Sequence, residues 1–231
     1  MKKILVLGDG LLGSEIVKQT GWPFVSRKKN TIDFRDVNSY AELISEYDEV
    51  INCIAHTKTY EDKRELHWAV NFDGVADLVG LCNDLGIKLI QISTDYLYTH
   101  STVASNENTV PVHCGNWYGY TKLLGDGYVQ LKSKNYLLIR TTHKKHPFQY
   151  DQAWVNQLGN FDYVNVIANL IIRLIEKGAT GLFNVGTELK SMYDLGVKTK
   201  PEVEPVYRVI DDTMPQNVIM DCSKMWKILG H

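Results

Sequence analysis

Cysteine is scarce in this chain, and the four residues it has are scattered. Cys53, Cys82, Cys114 and Cys222 form none of the close pairs that build zinc sites or dithiol redox motifs, so no metal is expected. They are expected instead as reduced thiols of a cytoplasmic protein. Long hydrophobic runs are missing as well. No stretch approaches the roughly 18 apolar residues that a membrane-crossing helix needs, and the first residues enter a strand without a secretory-leader pattern. Neither sign of charge dominates. With 25 Lys and Arg against 27 Asp and Glu the formal net charge is -2, which gives nucleic acid no electrostatic footprint. Internal repeats and low-complexity tracts are absent too.

What is present is an ordinary globular composition, 44% hydrophobic and 23% charged over 231 residues. That is enough for one large α/β domain with a small appended lobe. Its organising stretch is at the start. Ile4 to Leu7 is a short aliphatic run, and Gly8, Gly10 and Gly13 follow at G-x-G-x-x-G spacing. Residues 11–19, beginning with Leu11 and Leu12, read as a helix. Strand, glycine turn and helix make a dinucleotide-binding entry unit. Gly8 permits the turn, Gly10 lets a pyrophosphate approach the backbone, and Gly13 lets helix and strand pack closely. The helix N-terminus adds unpaired N–H groups and partial positive charge.

Residues 22–26 read as a second strand with Ser26 and Arg27 at its tip, where the adenosine ribose is met in this fold. Arg27 there favours a 2′-phosphate, and so NADP. The bland alternative is a solvated basic turn of Arg27, Lys28 and Lys29. Asp33, about 20 residues beyond the glycines, would favour NAD if it took the ribose role. Placed beyond a third short strand, it and Phe34 lie near the adenine. Asp36 reads as the cap of a helix to about residue 47. Residues 49–55 are a buried strand that delivers Cys53, Ile54 and Ala55 toward the cofactor. In 69–85, Val75, Leu78, Val79, Cys82 and Leu85 recur at helical spacing, and Gly86 suits the cap.

Residues 88–93 and 136–141 are further strands, and this alternation implies a parallel sheet covered on both faces. The expected fold is a Rossmann-type doubly wound α/β sheet, residues 1–140, followed by a small, shortened substrate lobe, 141–231, interleaved with the last sheet elements. Residues 141–159 are polar, aromatic and basic, and read as a mobile loop or short elements. Residues 163–177 form an amphipathic helix burying Val164, Ile167, Ile171 and Leu174. A strand at 181–185, an irregular or edge strand at 201–209 and a helix at 223–229 stopped by Gly230 complete the chain.

Two stretches carry chemistry: Ser93, Thr94, Asp95 and Tyr96 at a strand end, and Tyr118 with Lys122. The latter are four apart, so on a helix they share one face. A free phenol, with pKa near 10, is sluggish at neutral pH; an adjacent ammonium stabilises the phenolate and brings the hydroxyl into catalytic range. Thr94 can donate to the same substrate oxygen. Alone, the Tyr/Lys pair reads equally as a helical surface pair. With the glycine turn and the strand-end Ser-Thr in the right order, it reads as catalytic.

These residues, with Asn52 to Ala55, Val70, Asn71, Pro111, Gly119, Asp162 to Val164, Pro215, Asp221, Ser223 and Lys224, resemble an extended short-chain dehydrogenase/reductase over nearly the whole chain, most closely the dTDP-4-dehydrorhamnose reductase group of carbohydrate biosynthesis. The resemblance implies Tyr118 as general acid, Lys122 as ribose contact and activator of Tyr118, and Thr94 as carbonyl donor. It implies Asn71 and Ser93 at the cofactor with the residues named above, and Asp95 and Tyr96 at the substrate. The cofactor would be NADP by preference, with NAD allowed, and the substrate a nucleotide-linked sugar reduced at a C4 ketone; a homodimer is left open. Two features depart from the family. Residues 140–162 are short for its substrate lobe, and Met214 stands before Pro215 where the family often has Arg directed at the diphosphate. His143, Lys144, Lys145 and His146 read either as replacement cations or as a solvated loop. His113 with Cys114 reads as an epimerisation pair or as packing. A dehydratase of the same superfamily is disfavoured because Asp95 is followed by Tyr96 rather than Glu. An epimerase and a non-catalytic regulatory subunit remain alternatives.

Overall fold

The short aliphatic runs each become a strand buried on both faces. In the computed structural model, which describes residues 2–30, 32–113, 115–209 and 213–230, β1 is Ile4–Leu7, β2 Phe24–Val25, β3 Glu49–Asn52, β4 Lys88–Ile92, β5 Tyr136–Arg140 and β6 Gly181–Asn184. They form one sheet in the order β6-β5-β4-β3-β1-β2, parallel throughout. Alternation within the strands divides the core between the two faces. Val6, Ile51, Ile90 and Ile139 pack with Leu12 and Ile16 of helix α1, Leu11–Thr20, on one side. Leu5, Leu7, Val50, Leu89 and Leu138 pack on the other, against Val75, Leu78 and Val79 of α2, Gly74–Leu85. Helix α3, Trp117–Lys132, joins the second face through Val129, and α4, Val164–Glu176, joins the first through Ile167, Ile171 and Leu174. The C-terminal helix α5, Ser223–Leu229, ends at Gly230, which is left-handed at φ 86°, a conformation that glycine adopts without a Cβ clash.

The doubly wound sheet matches the sequence expectation, and the differences have local causes. No third strand precedes Asp33 among the described residues. The Ser39 hydroxyl accepts the Asp33 N–H at 3.0 Å, so a side chain takes the place of a neighbouring strand. The helix expected from Asp36 is broken into a single turn, Val37–Ser39, and Ala41–Ile44; Asp36 caps the first through the Asn38 N–H at 3.1 Å. The helix expected over 69–85 begins with a π-bulge at Ala69–Asp73. There the Asn71 carbonyl approaches α3 so closely that a Cβ on Gly125 would lie 2.4 Å from it.

The stretch 141–159 is better tied than its composition suggests. His143–Lys144 pairs in parallel with Asp162–Tyr163. Gln152–Trp154 pairs with Glu204–Val206, the edge strand expected within 201–209. Leu158–Gly159 is the centre of a three-stranded sheet with Lys190–Ser191 and Asn217–Val218. Phe148, Ala153, Phe161, Tyr163, Met192, Leu195 and Val203 form a separate small core beneath these pieces.

Candidate active site

The glycine turn shows three different uses of a missing side chain. Gly8 is at φ 98°, a conformation L residues rarely adopt. A Cβ on Gly13 would lie 2.2 Å from the Gly8 carbonyl oxygen, so only glycine lets α1 rest on β1. A Cβ on Gly10 would meet nothing within 4 Å. Gly10 caps α1 with no side-chain hydrogen bond. An open cradle over a helix N-terminus whose first N–H groups no side chain caps suits a pyrophosphate. Leu11 is turned outward there, whereas Leu12 belongs to the core. Cys53, Ile54 and Ala55 line the far side, half-buried, with the Ile54 N–H held by Asn52 Oδ1 at 3.0 Å.

At the tip of β2 the Ser26 hydroxyl donates to Asp9 at 3.1 Å and accepts the Lys29 N–H at 3.1 Å. Ser26 is buried, and Arg27 begins the exposed turn Arg27–Asn30. Asp33 is engaged by the chain's own guanidinium. Arg35 donates to its carboxylate at 2.6 and 2.9 Å, and those bonds hold its pKa down at about 2. Phe34 is a core residue rather than a surface for a base; it stacks on Tyr40 and its ring and carbonyl press on Gly74.

The C-terminal end of β4 gathers the chemistry. Asn116 caps α3 by accepting the Gly119 N–H at 2.7 Å, and Tyr118 and Lys122 follow on one face. The buried Lys122 ammonium donates to the Ile92 carbonyl at 2.8 Å, and desolvation lowers its pKa to about 8. Cys53 faces it, its thiol pushed up to about 12 by burial. The Tyr118 ring meets Tyr96 edge-on, 5.5 Å between centroids. Thr94 caps the turn Asp95–Tyr98, accepting the Tyr96 N–H at 3.3 Å.

Other expected site residues are committed elsewhere. The Ser93 hydroxyl donates to Asp126 of α3 at 2.7 Å, and Asp126 is clasped by Arg140 at 2.7 and 3.0 Å. Arg140 also donates to the Tyr98 hydroxyl, which donates to Asn184. Asn71 spans the His56 backbone and Thr121, tying β3's exit to α3. Asp95, expected at the substrate, is wholly buried beneath Thr94 at 0% exposure.

The basic cluster divides. His143 and Lys144 are half-buried in a strand, contrary to a solvated-loop reading, while Lys145 and His146 are exposed. His113 is exposed against the Tyr120 ring, and Cys114 lies outside the described residues. Met214 takes the Tyr60 hydroxyl on its sulfur. Arg208, which no sequence motif marked, donates to the Pro215 carbonyl at 3.0 Å and lies over the Trp154 ring. Its only sequence signal was its closeness to Pro215. Among the described residues no group of three or more His, Cys, Asp or Glu could hold a metal ion, and no helix is long and apolar enough to cross a membrane.

A parallel doubly wound sheet, a glycine cradle at its first turn and a Tyr/Lys helix beside its fourth strand define an extended short-chain dehydrogenase/reductase fold. The family described as RmlD substrate binding domain matches residues 1–169. The chain belongs to that family. It is 29% identical over 180 residues to the dTDP-4-dehydrorhamnose reductase of Mycolicibacterium smegmatis, covering 73% of this chain and 51% of the relative. It is 26% identical over 218 residues to the dTDP-4-keto-6-deoxy-D-glucose reductase of Streptomyces niveus, covering 82% and 74%. The chain spans 59%, 50% and 51% of the length of the first curated relatives it matches. Among solved structures, the Bacillus anthracis dTDP-4-dehydrorhamnose reductase in complex with NADP shares the fold with a TM-score of 0.86 at 21% identity, over 100% of this chain and 93% of that one.

Proposed function

We propose that this chain is an NAD(P)H-dependent reductase of a nucleotide-activated 4-keto-6-deoxy sugar. The observation that carries the reading is that Lys122 and Tyr118 of α3 both reach the segment after β4 that holds Thr94, the Lys122 ammonium on the Ile92 carbonyl and the Tyr118 ring against Tyr96. The names of the relatives support the substrate class: both act on dTDP-linked 4-keto-6-deoxy sugars.

Gly10 and the first N–H groups of α1 would hold the pyrophosphate, Arg27 a 2′-phosphate, and Lys122 the ribose next to the reacting ring. When bound there, the dinucleotide would supply the hydride for reduction of the C4 carbonyl. Thr94 donates its hydroxyl to the carbonyl oxygen, which polarises the bond. Tyr118 gives its phenolic proton to that oxygen as charge develops on it, and Lys122 stabilises the phenolate left behind.

The test is NADPH consumption by the purified protein across nucleotide-linked sugars with and without a C4 ketone. Oxidation confined to the keto sugars is the expected result. A protein that binds NADPH yet turns over none of them would overturn the reading in favour of a non-catalytic binding subunit.

A further inference from the structure

The Thr94 hydroxyl, assigned above to the substrate carbonyl, has a competing neighbour. Its oxygen accepts the Tyr96 N–H at 3.3 Å and lies 3.4 Å from Oδ1 of Asp95. A hydroxyl carries one proton. An ionised Asp95 can only accept, so it draws that proton inward, away from the crevice. A protonated Asp95 can donate to the Thr94 oxygen and leave the Thr94 proton free to point outward.

The surroundings make both states accessible. Asp95 has 0% exposure and its Oδ2 has no hydrogen-bond partner among the described residues, which is costly for a carboxylate and tolerable for an acid. Its own N–H is tied to the Thr141 carbonyl at the end of β5. From the strand His143–Lys144 the Lys144 ammonium faces it without a hydrogen bond between them. His143, beside Lys144, has its pKa lowered to about 4 by burial and is neutral in the working range. From α3, the Tyr118 ring packs on Tyr96, the next residue of the turn. Burial favours the acid and Lys144 favours the carboxylate; burial wins, and the pKa of Asp95 rises to about 7.

We propose that Asp95 is a positioning residue for the reduction: its carboxyl steers the Thr94 hydroxyl, freeing it for the substrate when protonated and withdrawing it when ionised, with Lys144 setting the balance. The inference rests on the reductase reading above, because it presumes that Thr94 meets a carbonyl. The competent state is the protonated one, so kcat/KM falls as pH rises through about 7. Beyond that point the loss approaches about tenfold per pH unit until another donor sets a floor.

Asp95→Asn keeps shape and fixes an amide donor beside Thr94, so this limb should vanish while turnover persists at high pH. Lys144→Met removes the charge that favours the carboxylate, so the limb should move to higher pH. In a Thr94→Val background, Asp95→Asn should add nothing. A limb that survives unchanged in Asp95→Asn overturns the proposal. A second readout needs no turnover: in the protein without substrate, the Tyr96 amide NMR shift should titrate with the Asp95 carboxyl and be flat in Asp95→Asn. A flat Tyr96 amide in the parent overturns the proposal even if the enzyme is active. A titrating one sustains the Asp95–Thr94 coupling even if no keto sugar is turned over.

Discussion

At Tyr118, the proposed chemistry depends on one oxygen atom. Tyr118→Phe removes only the hydroxyl and keeps the ring that rests on Tyr96, so turnover should fall by about two to four orders of magnitude with cofactor affinity nearly unchanged. Steady-state rates beside NADPH titration check both halves; near-parent turnover would take the proton-donor role from Tyr118. Lys122→Met should damage rate and affinity together, yet make the fold more stable. The ammonium is buried and its pKa falls from 10.5 to about 8, so the unfolded chain binds the proton more tightly and the parent's stability rises with pH between those values. Below about 8 the parent carries the full cost of the buried charge, and the variant's gain in melting temperature should be largest there. Arg27→Ala should weaken NADPH much more than NADH, because an exposed arginine at the β2 tip can clamp a 2′-phosphate. Equal weakening of both in calorimetric titration would reduce Arg27 to a surface cation.

At the scale of elements, the close contacts fall at glycines. In Gly13→Ala the new Cβ would meet the Gly8 carbonyl at 2.2 Å, and backbone cannot step aside as a flexible side chain can. Separating α1 from β1 should cost about 1–3 kcal/mol and weaken dinucleotide binding with it. Gly10→Ala faces open space, so its fold should hold while the pyrophosphate loses room. Urea melts and cofactor titrations of the two variants should therefore diverge, and matching behaviour would deny the division of labour between them. The π-bulge at Ala69–Asp73 has a similar tertiary reason: it turns Asn71 so that its side chain spans the His56 backbone and Thr121 while its carbonyl packs on Gly125.

Across the whole molecule, helix α3 is fixed to the sheet by a buried polar network. Asp126 of α3 takes hydrogen bonds from Ser93 after β4 and from Arg140 of β5, and Tyr98 extends the chain to Asn184 of β6. Arg140→Met takes the cation from the buried Asp126, leaving it only the Ser93 hydroxyl and the Gln130 amide, and should cost about 3–5 kcal/mol, measured by urea denaturation at neutral pH. A loss well below that range would reduce the network to a minor role in holding α3. The stretch 141–159 is held by short strands, so amides of Gln152–Trp154, paired with Glu204–Val206, should exchange more slowly than exposed turns of the same stretch.

The local pattern of the chain determined the strands, the doubly wound sheet and the shared face of Tyr118 and Lys122. Burial on two faces writes aliphatic runs such as Ile4–Leu7, a helix repeats at 3.6 residues, and a turn that needs φ 98° writes Gly8. Each of these signals lies within a few residues of its cause. The partners of the polar groups are not local. Ser93 finds Asp126 33 residues away and Asn71 finds Thr121 50 away, because the sheet order sets β4 and β5 side by side and lays α3 across them. Asp33 is the local exception: Arg35, two residues on, takes its carboxylate while the Ser39 hydroxyl holds its N–H. Asp95 is fully buried with its N–H on the Thr141 carbonyl beyond β5, and Arg208 lies over the Trp154 ring where 204–206 pairs with 152–154. Sequence periodicity records which face of an element is buried; which hydroxyl, carboxyl or guanidinium shares that space was decided by the tertiary structure.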